Sequence, residues 1–142
     1  MGTFSVEVTV KNLREPGRNR MVSVLVDTGA TYMTLPRDVV ETLDCQPVGN
    51  RRVLLATGRE EEWPLTVVLL TLDGQELPIV CLIGPNGGPA VLGAVTLEEF
   101  ALGVDPVAKP LVPVRSYLAN SVVRRSVTRA RSSRRRCRRP RP

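Results

Sequence analysis

The segment Asp27-Thr28-Gly29-Ala30 contains the residues of this chain that are best placed to carry out acid–base chemistry. It directly follows an apolar run at residues 21–26. A strand that ends in a carboxylate, a hydroxyl and a glycine can present an acid on a tight, rigid turn. Because Asp, Thr and Gly are common in turns, the Asp27-Thr28-Gly29 triplet points to chemistry only together with the elements around it.

The absence of histidine excludes several catalytic and metal-binding arrangements. Ser/His/Asp catalysis, Cys/His catalysis and the HExxH zinc site all need imidazole as a base or a ligand. A Ser/Lys dyad needs a buried lysine, whereas Lys11 and Lys109 both lie by predicted turns or strand ends. Without histidine or a close cysteine pair, only carboxylate binding of hard cations remains open. Neither a metal nor another cofactor is expected.

The three cysteines, Cys45, Cys81 and Cys137, are odd in number and widely spaced. This spacing favours a reducing cytoplasm over a disulfide framework. Cys45 and Cys81 are interpreted as small buried hydrophobic residues. The sequence has no apolar window of 18 residues and no secretory signal pattern, so we expect a cytoplasmic protein without membrane contact.

Charge divides the chain into two parts. Residues 1–114 contain nine Lys or Arg and fourteen Asp or Glu, a net charge of 9 − 14 = −5. Residues 115–142 contain eleven arginines and no acid, a net charge of +11. The composition therefore predicts one compact domain at 1–114 and an Arg-rich C-terminal tail at 115–142, which low complexity predicts to be disordered.

Alternating apolar and polar residues predict that the domain consists mainly of strands. Phe4, Val6, Val8 and Val10 alternate with polar residues, the period-two pattern of a strand with one buried face. Later apolar runs predict further strands, separated by turns every eight to twelve residues. These strands comprise a run that ends at Asp27 and residues 31–35, 51–56, 62–72, 77–83, 91–93 and 111–114.

Gly58 marks the most informative of the predicted connections. The segment at residues 57–59 joins two strands into a hairpin, in which Gly58 can adopt a positive φ. Trp63 is interpreted as packing at the base of this hairpin. The charged run at residues 59–62 is interpreted as a solvated face.

Two short helices are predicted. Pro36 is suited to the first turn of a helix that runs to Leu43. The spacing of Thr96 and Glu99 matches a capping box, which predicts that a second helix opens at Thr96 and closes at Gly103.

The order of these elements over about residues 3–114 resembles a retropepsin-like aspartic protease, the single-lobed branch of the pepsin-like peptidases. The shared features are a strand leading into Asp27-Thr28-Gly29-Ala30, a flap-like hairpin around Gly58, and Leu92-Gly93 before a short helix. The resemblance implies an all-β fold: a small closed acid-protease-type barrel with one or two short helices, active as a two-fold homodimer.

The resemblance also implies roles for individual residues. Asp27 is the expected catalytic residue of an aspartic endopeptidase, supported by Thr28, Gly29 and Ala30. Ala56, Thr57 and Gly58 are the expected flap residues over an extended peptide substrate, and Leu92 and Gly93 are expected to pack behind the site. Two nearby carboxylates can share one proton and so activate water. Since the chain contains a single Asp-Thr-Gly, the second acid is expected from a second copy of the chain.

Two differences from related enzymes bear on function: one from the two-lobed enzymes and one from the viral flap pattern. Where two-lobed relatives usually carry a hydroxyl that can donate to the carboxylate, this chain has Ala30. Alanine cannot donate that bond, which leads to the hypothesis of activity reaching towards neutral pH. The hairpin also has Gly58 alone where viral flaps are rich in glycine, and charged residues follow it at 59–62.

Two alternative functions are consistent with the sequence. The domain could be a catalytically silent dimerisation or peptide-binding module of the same fold, because a fold does not guarantee chemistry. The arginines of the tail could instead bind nucleic acid or another acidic surface through phosphate contacts. The tail has almost no aromatic residues for base stacking, so only weak, nonspecific nucleic-acid contact is expected.

Overall fold

The computed structural model describes residues 3–108 and 111–116. These residues form nine strands and two short helices, which confirms the prediction of a mostly β fold. The strands are β1 Phe4–Asn12, β2 Asn19–Val26, β3 Met33–Pro36, β4 Gly49–Leu54, β5 Glu60–Leu72, β6 Gln75–Gly84, β7 Val91–Leu92, β8 Leu102–Val104 and β9 Leu111–Pro113. The helices are α1 Arg37–Thr42 and α2 Ala94–Glu99.

Seven strands form one sheet in the order β1-β2-β7-β3-β6-β5-β4, and β8 pairs with β9 separately. Strand β1 also pairs with β5 in antiparallel register, with Thr9 opposite Thr71. This additional pairing folds the sheet back on itself around an apolar interior. The complete closure expected of an acid-protease-type barrel stays a prediction.

The core follows from the alternation of residues along the strands. Val8 and Val10 on β1, and Val24 and Val26 on β2, are all buried, while their sequence neighbours are more exposed. Phe100, just after α2, is fully buried and is the largest buried side chain. Each such side chain contributes about 1.5–3 kcal/mol through removal of apolar surface from water.

The predicted turns and the first helix agree with the structure. Asp73 and Gly74 both have positive φ, at 51° and 75°, and connect β5 to β6 as a tight hairpin turn. Pro36 is the N-cap residue of α1. Strand β8 was not predicted from the sequence, because three residues give too short a pattern to recognise.

The predicted boundaries of the second helix are wrong. Helix α2 begins at Ala94, with Gly93 as N-cap and no side-chain cap, so Thr96 lies inside the helix and is buried. The helix ends at Glu99, and Ala101 rather than Gly103 takes the left-handed conformation, with φ 52°. A side-chain cap is not needed because backbone carbonyls from another loop accept the first N–H groups of this helix.

The remaining sequence predictions concern the C-terminal tail and the membrane. Residues 117–142, which include Cys137 and ten of the tail's eleven arginines, lie outside the described residues. Within the residues that the structure describes, neither helix has the length and apolar character needed to cross a membrane.

Candidate active site

The candidate acid Asp27 lies on a turn that begins where β2 ends. Its backbone N–H donates to the Leu92 carbonyl at 3.1 Å, which continues the parallel pairing of β2 with β7. The Gly29 N–H donates to Asp27 Oδ1 at 2.9 Å, and the Ala30 N–H donates to the Asp27 carbonyl at 3.1 Å. The turn is therefore held by its own hydrogen bonds and by a neighbouring strand.

A second set of hydrogen bonds fixes the far side of this turn. The Ala94 N–H donates to the Ala30 carbonyl at 2.8 Å, and the Val95 N–H donates to the Thr31 carbonyl at 3.0 Å. These N–H groups belong to the first turn of α2, which has no intrahelical acceptor for them. The same two bonds thus satisfy the helix start and hold the backbone after Asp27.

Gly93 permits this close approach. A Cβ atom added at Gly93 would lie 2.7 Å from the Tyr32 carbonyl oxygen and 2.8 Å from the Ala30 carbonyl oxygen. Gly93 is itself buried, and Leu92 beside it is fully buried in the core. Both residues therefore lie behind the Asp27 turn, one in backbone contact with it and the other in the core.

Within the turn, Gly29 has a comparable steric role. A Cβ atom at Gly29 would lie 3.1 Å from Asp27 Oδ1, so a side chain there would crowd the carboxylate. Thr28 is exposed, whereas Ala30 and Asp27 are half-buried.

Asp27 lies at the edge of a cleft of about 640 Å³. The described residues that line it are mainly apolar, and Asp27 is the only carboxylate among them. Arg52 supplies the only cationic side chain in the same lining. The remaining lining residues are Gly29, Ala30, Thr31, Tyr32, Thr34, Val53, Leu54, Leu55, Ala56, Trp63, Leu82, Pro85, Pro89 and Val91.

The opposite wall of the cleft is the flap hairpin, formed by β4, residues 55–59 and the start of β5. At its tip the Gly58 N–H donates to the Leu55 carbonyl at 2.9 Å, and the Leu55 N–H donates to the Arg59 carbonyl at 2.8 Å. Gly58 has φ 85°, which matches a turn closed by a left-handed residue. Of the three predicted flap residues, Ala56 lines the cleft, while Thr57 and Gly58 form the exposed tip.

Sequence reasoning missed Tyr32 and Arg51 and gave Trp63 only a packing role. The Arg51 guanidinium donates to the Tyr32 hydroxyl, and its central carbon lies 5.0 Å from the centre of the Tyr32 ring. Trp63 contributes to the cleft wall, and its indole N–H donates to Glu61 Oε2 at 2.8 Å. No local pattern relates Tyr32 to Arg51, because folding brings them together from separate elements.

The two described cysteines are unsuited to nucleophilic chemistry. Cys45 and Cys81 are free and buried. Burial raises the pKa of Cys81 to about 12, and burial with nearby Asp44 raises the pKa of Cys45. Since the thiolate is the reactive form, neither thiol provides a rival to the carboxylate of Asp27.

Comparisons with known proteins agree with this geometry. Residues 6–105 match the family model described as aspartyl protease, and the chain therefore belongs to that family. Comparison with curated proteins gives no sequence match.

Comparison with solved structures gives matches to viral proteases. The structure of EIAV protease complexed with the inhibitor HBY-793 matches with a TM-score of 0.58 at 16% identity, covering 82% of this chain and 94% of that chain. The solution structure of simian foamy virus (mac) protease gives a TM-score of 0.49 at 16% identity, covering 68% of this chain and 94% of that chain. The EIAV match supports a retroviral-protease fold for this chain.

Proposed function

We propose that the protein is an aspartic endopeptidase in which Asp27 from each of two identical chains activates a water molecule between them. The observation that carries this proposal is the placement of Asp27. Its carboxylate lies on a turn held by hydrogen bonds, and Asp27 lines a cleft of about 640 Å³ together with residues of the flap hairpin. Membership of the aspartyl protease family supports the same chemistry.

The number of acids in the cleft supports a homodimer. Water attack on a peptide carbonyl needs one carboxylate to take a proton from water and one carboxylic acid to polarise the carbonyl oxygen. Among the described residues that line the cleft, only Asp27 is a carboxylate. A two-fold axis close to Asp27 would bring a second copy into place, with the exposed Thr28 side chain facing the partner.

In the proposed reaction, the two carboxylates share one proton. The ionised acid removes a proton from water, whose oxygen forms a bond to the carbonyl carbon. The protonated acid donates its proton to the carbonyl oxygen, which gives a diol. The acid that took a proton from water then donates that proton to the amine nitrogen as the C–N bond breaks, and the other carboxylate takes a proton from a diol hydroxyl as the new carboxyl group forms. Both acids return to the state with one shared proton.

The substrate is proposed to be an extended peptide. The flap hairpin and the floor of the cleft present backbone groups to a chain lying between them, as in strand addition. The mainly apolar lining favours apolar side chains near the cleaved bond.

The proposed catalytic unit is the domain at residues 1–114, folded as a closed barrel. The proposed location is the cytoplasm, because the free thiols of Cys45 and Cys81 fit a reducing compartment.

Mixing two forms of the protein tests the shared site. Wild-type chain and Asp27→Asn are unfolded together in equal amounts and refolded, and cleavage of a peptide library is measured. Random pairing leaves about one quarter of the dimers with two Asp27, so activity per wild-type chain falls to about half. An equal mass of an unrelated protein in place of Asp27→Asn is the control and should leave the activity unchanged.

Other outcomes lead to different conclusions. Activity per wild-type chain that is unaffected by Asp27→Asn would show that each chain works alone and would reject the shared site. Cleavage by Asp27→Asn alone would reject Asp27 as the acid. No cleavage by a wild-type protein shown to be dimeric would favour the silent peptide-binding module.

A further inference from the structure

The flap hairpin has few connections to the rest of the protein. Among the residues that the structure describes, strand β4 pairs only with β5, and none of the β4 residues is buried. The hydrogen bonds at the tip are internal to the hairpin. The position of the hairpin over the cleft must therefore depend on side chains near its base.

Arg51 and Trp63 are those side chains. They lie directly opposite each other in the antiparallel pairing of β4 with β5, so both project from the same face of the hairpin. Trp63 is half-buried, and its ring approaches Gly84 so closely that a Cβ atom there would be 3.5 Å away. Trp63 thus packs β5 against β6. The other side chain of the pair, Arg51, is the one that can attach β4 to the rest of the protein.

Arg51 makes its contact with Tyr32. The guanidinium both donates to the Tyr32 hydroxyl and lies over the aromatic ring, with 5.0 Å between its central carbon and the ring centre. Tyr32 is half-buried and lies between the Asp27 turn and β3, on the floor of the cleft. Within the part of the chain that the structure describes, neither ion pair includes Arg51. The contact with Tyr32 is therefore its principal interaction.

We propose that Arg51 is a positioning residue, which anchors the flap hairpin to the floor of the active site by its contact with Tyr32. This inference rests on the proposed function. Tyr32 follows the Asp27 turn by a few residues, so the anchor sets the height of the flap relative to the acid. Loss of the anchor raises the population of a detached hairpin and lowers the affinity for an extended peptide, without changing the groups that react.

Lysine and phenylalanine variants separate the two parts of the contact. Arg51→Lys keeps a cation that can lie over the ring but loses the planar guanidinium fork. Tyr32→Phe keeps the ring but removes the hydroxyl acceptor. Arg51→Ala removes both parts, and its effect should be the largest of the three.

Trp63 offers a readout that does not need catalysis, since it is the only tryptophan of the chain. Acrylamide quenching of its fluorescence reports access of solvent to the hairpin base. Amide hydrogen exchange over residues 49–54 reports opening of the β4–β5 pairing, which holds β4 in place once its contact with Tyr32 is lost. An exposed cation–π contact corresponds to a change on the order of two- to five-fold in such a local equilibrium. We expect exchange at residues 49–54 to rise by that factor in Arg51→Ala and Trp63 quenching to increase.

Arg20→Ala is the matched control. Arg20 is an exposed arginine on β2, so its loss changes the net charge by the same amount. Because it lies outside the hairpin and the cleft lining, hydrogen exchange and quenching should match the wild type. A general effect of charge would be absent from Arg51→Lys, which keeps the charge. The anchor predicts that Arg51→Lys recovers only part of the wild-type behaviour, because the guanidinium fork is lost.

Kinetics then connect the anchor to peptide binding. For Arg51→Ala, KM should rise by no more than the same two- to five-fold with kcat nearly unchanged, because the apparent affinity falls only in proportion to the population of the binding-competent hairpin. Equal exchange and quenching in Arg51→Ala and Arg20→Ala would overturn the inference, whether or not the protein cleaves peptides. If hydrogen exchange rises in Arg51→Ala but the wild-type protein cleaves no peptide, the anchor is supported and the proposed function is rejected.

Discussion

Replacing Gly93 by alanine should disrupt the backbone that holds Asp27, and the structure gives the size of the effect. A Cβ atom at this position would lie 2.7–2.8 Å from three backbone atoms of residues 30–32. Ordinary contact begins at 3.4 Å, so the loop must move by about 0.7 Å. The obstructing atoms are backbone, and the side chain cannot relieve the contact by changing rotamer.

The stability change combines two opposing effects. Overpacking a rigid site costs about 1–3 kcal/mol, whereas replacing glycine by alanine stabilises by about 0.4–1 kcal/mol through the unfolded chain. A net loss of about 1–2 kcal/mol is expected in urea unfolding. Since φ at Gly93 is −93°, backbone strain does not contribute to this loss.

The activity change should be larger than the stability change suggests. Displacement of a catalytic group by about 1 Å can reduce the rate by about 100-fold. Because Ala94 and Val95 donate to the loop that Gly93 contacts, movement of that loop is expected to shift Asp27 as well. Cleavage rate per folded molecule should therefore fall by one to two orders of magnitude.

Gly17→Ala provides the matched control for this substitution. A Cβ atom at Gly17 meets no other atom within 4 Å, and its φ does not require glycine. This variant should be as stable as the wild type or slightly more stable, with unchanged activity. If Gly93→Ala shows the same urea unfolding and the same cleavage rate as Gly17→Ala, the close packing of α2 against the Asp27 turn does not hold Asp27 in position.

Two further substitutions test the ionisable groups and the neighbour of Asp27. The pKa of Cys81 is about 12 in the folded protein against 9.0 for a free thiol, so its contribution to stability is complete below pH 9 and declines between pH 9 and 12; at pH 10 the loss is about 1 kcal/mol. Urea unfolding at pH 8 and pH 10 should show a smaller decline in Cys81→Ala than in the wild type, and equal declines would contradict burial of the thiol. Ala30→Thr should move the acidic side of the pH–rate profile to lower pH because its hydroxyl can donate to the Asp27 carboxylate. Ala30→Val, which has a similar shape without the hydroxyl, should show no such shift, and identical profiles for the two variants would reject the hypothesis.

Local patterns predicted the elements whose signals lie within a few residues. The alternation from Phe4 to Val10 identified β1, and Gly58 identified the tip of the flap hairpin. The apolar run before Asp27 placed the acid at the end of a strand. These predictions succeeded because side-chain period and turn chemistry are local properties.

Features that depend on contacts between distant segments were not predictable in this way. Thr96 and Glu99 have capping-box spacing, yet α2 begins at Ala94 because carbonyls of residues 30 and 31 satisfy its first N–H groups. The contact of Arg51 with Tyr32 likewise joins two elements that are separated in sequence. In both cases the determining partner lies on another element, and no single window of sequence contains it.

The two walls of the cleft differ in how firmly a single chain fixes them. The Asp27 turn is held by β7, by the start of α2 and by its own hydrogen bonds, all within one chain. The opposing hairpin contributes no buried residue from β4 and depends on side-chain contacts at its base. A rigid acid and a weakly anchored cover are the combination that peptide entry requires, because the reacting group must stay in place while the cover moves. Under the proposed function, a partner chain supplies only the second acid, because the hydrogen bonds that hold the first acid all lie within one chain.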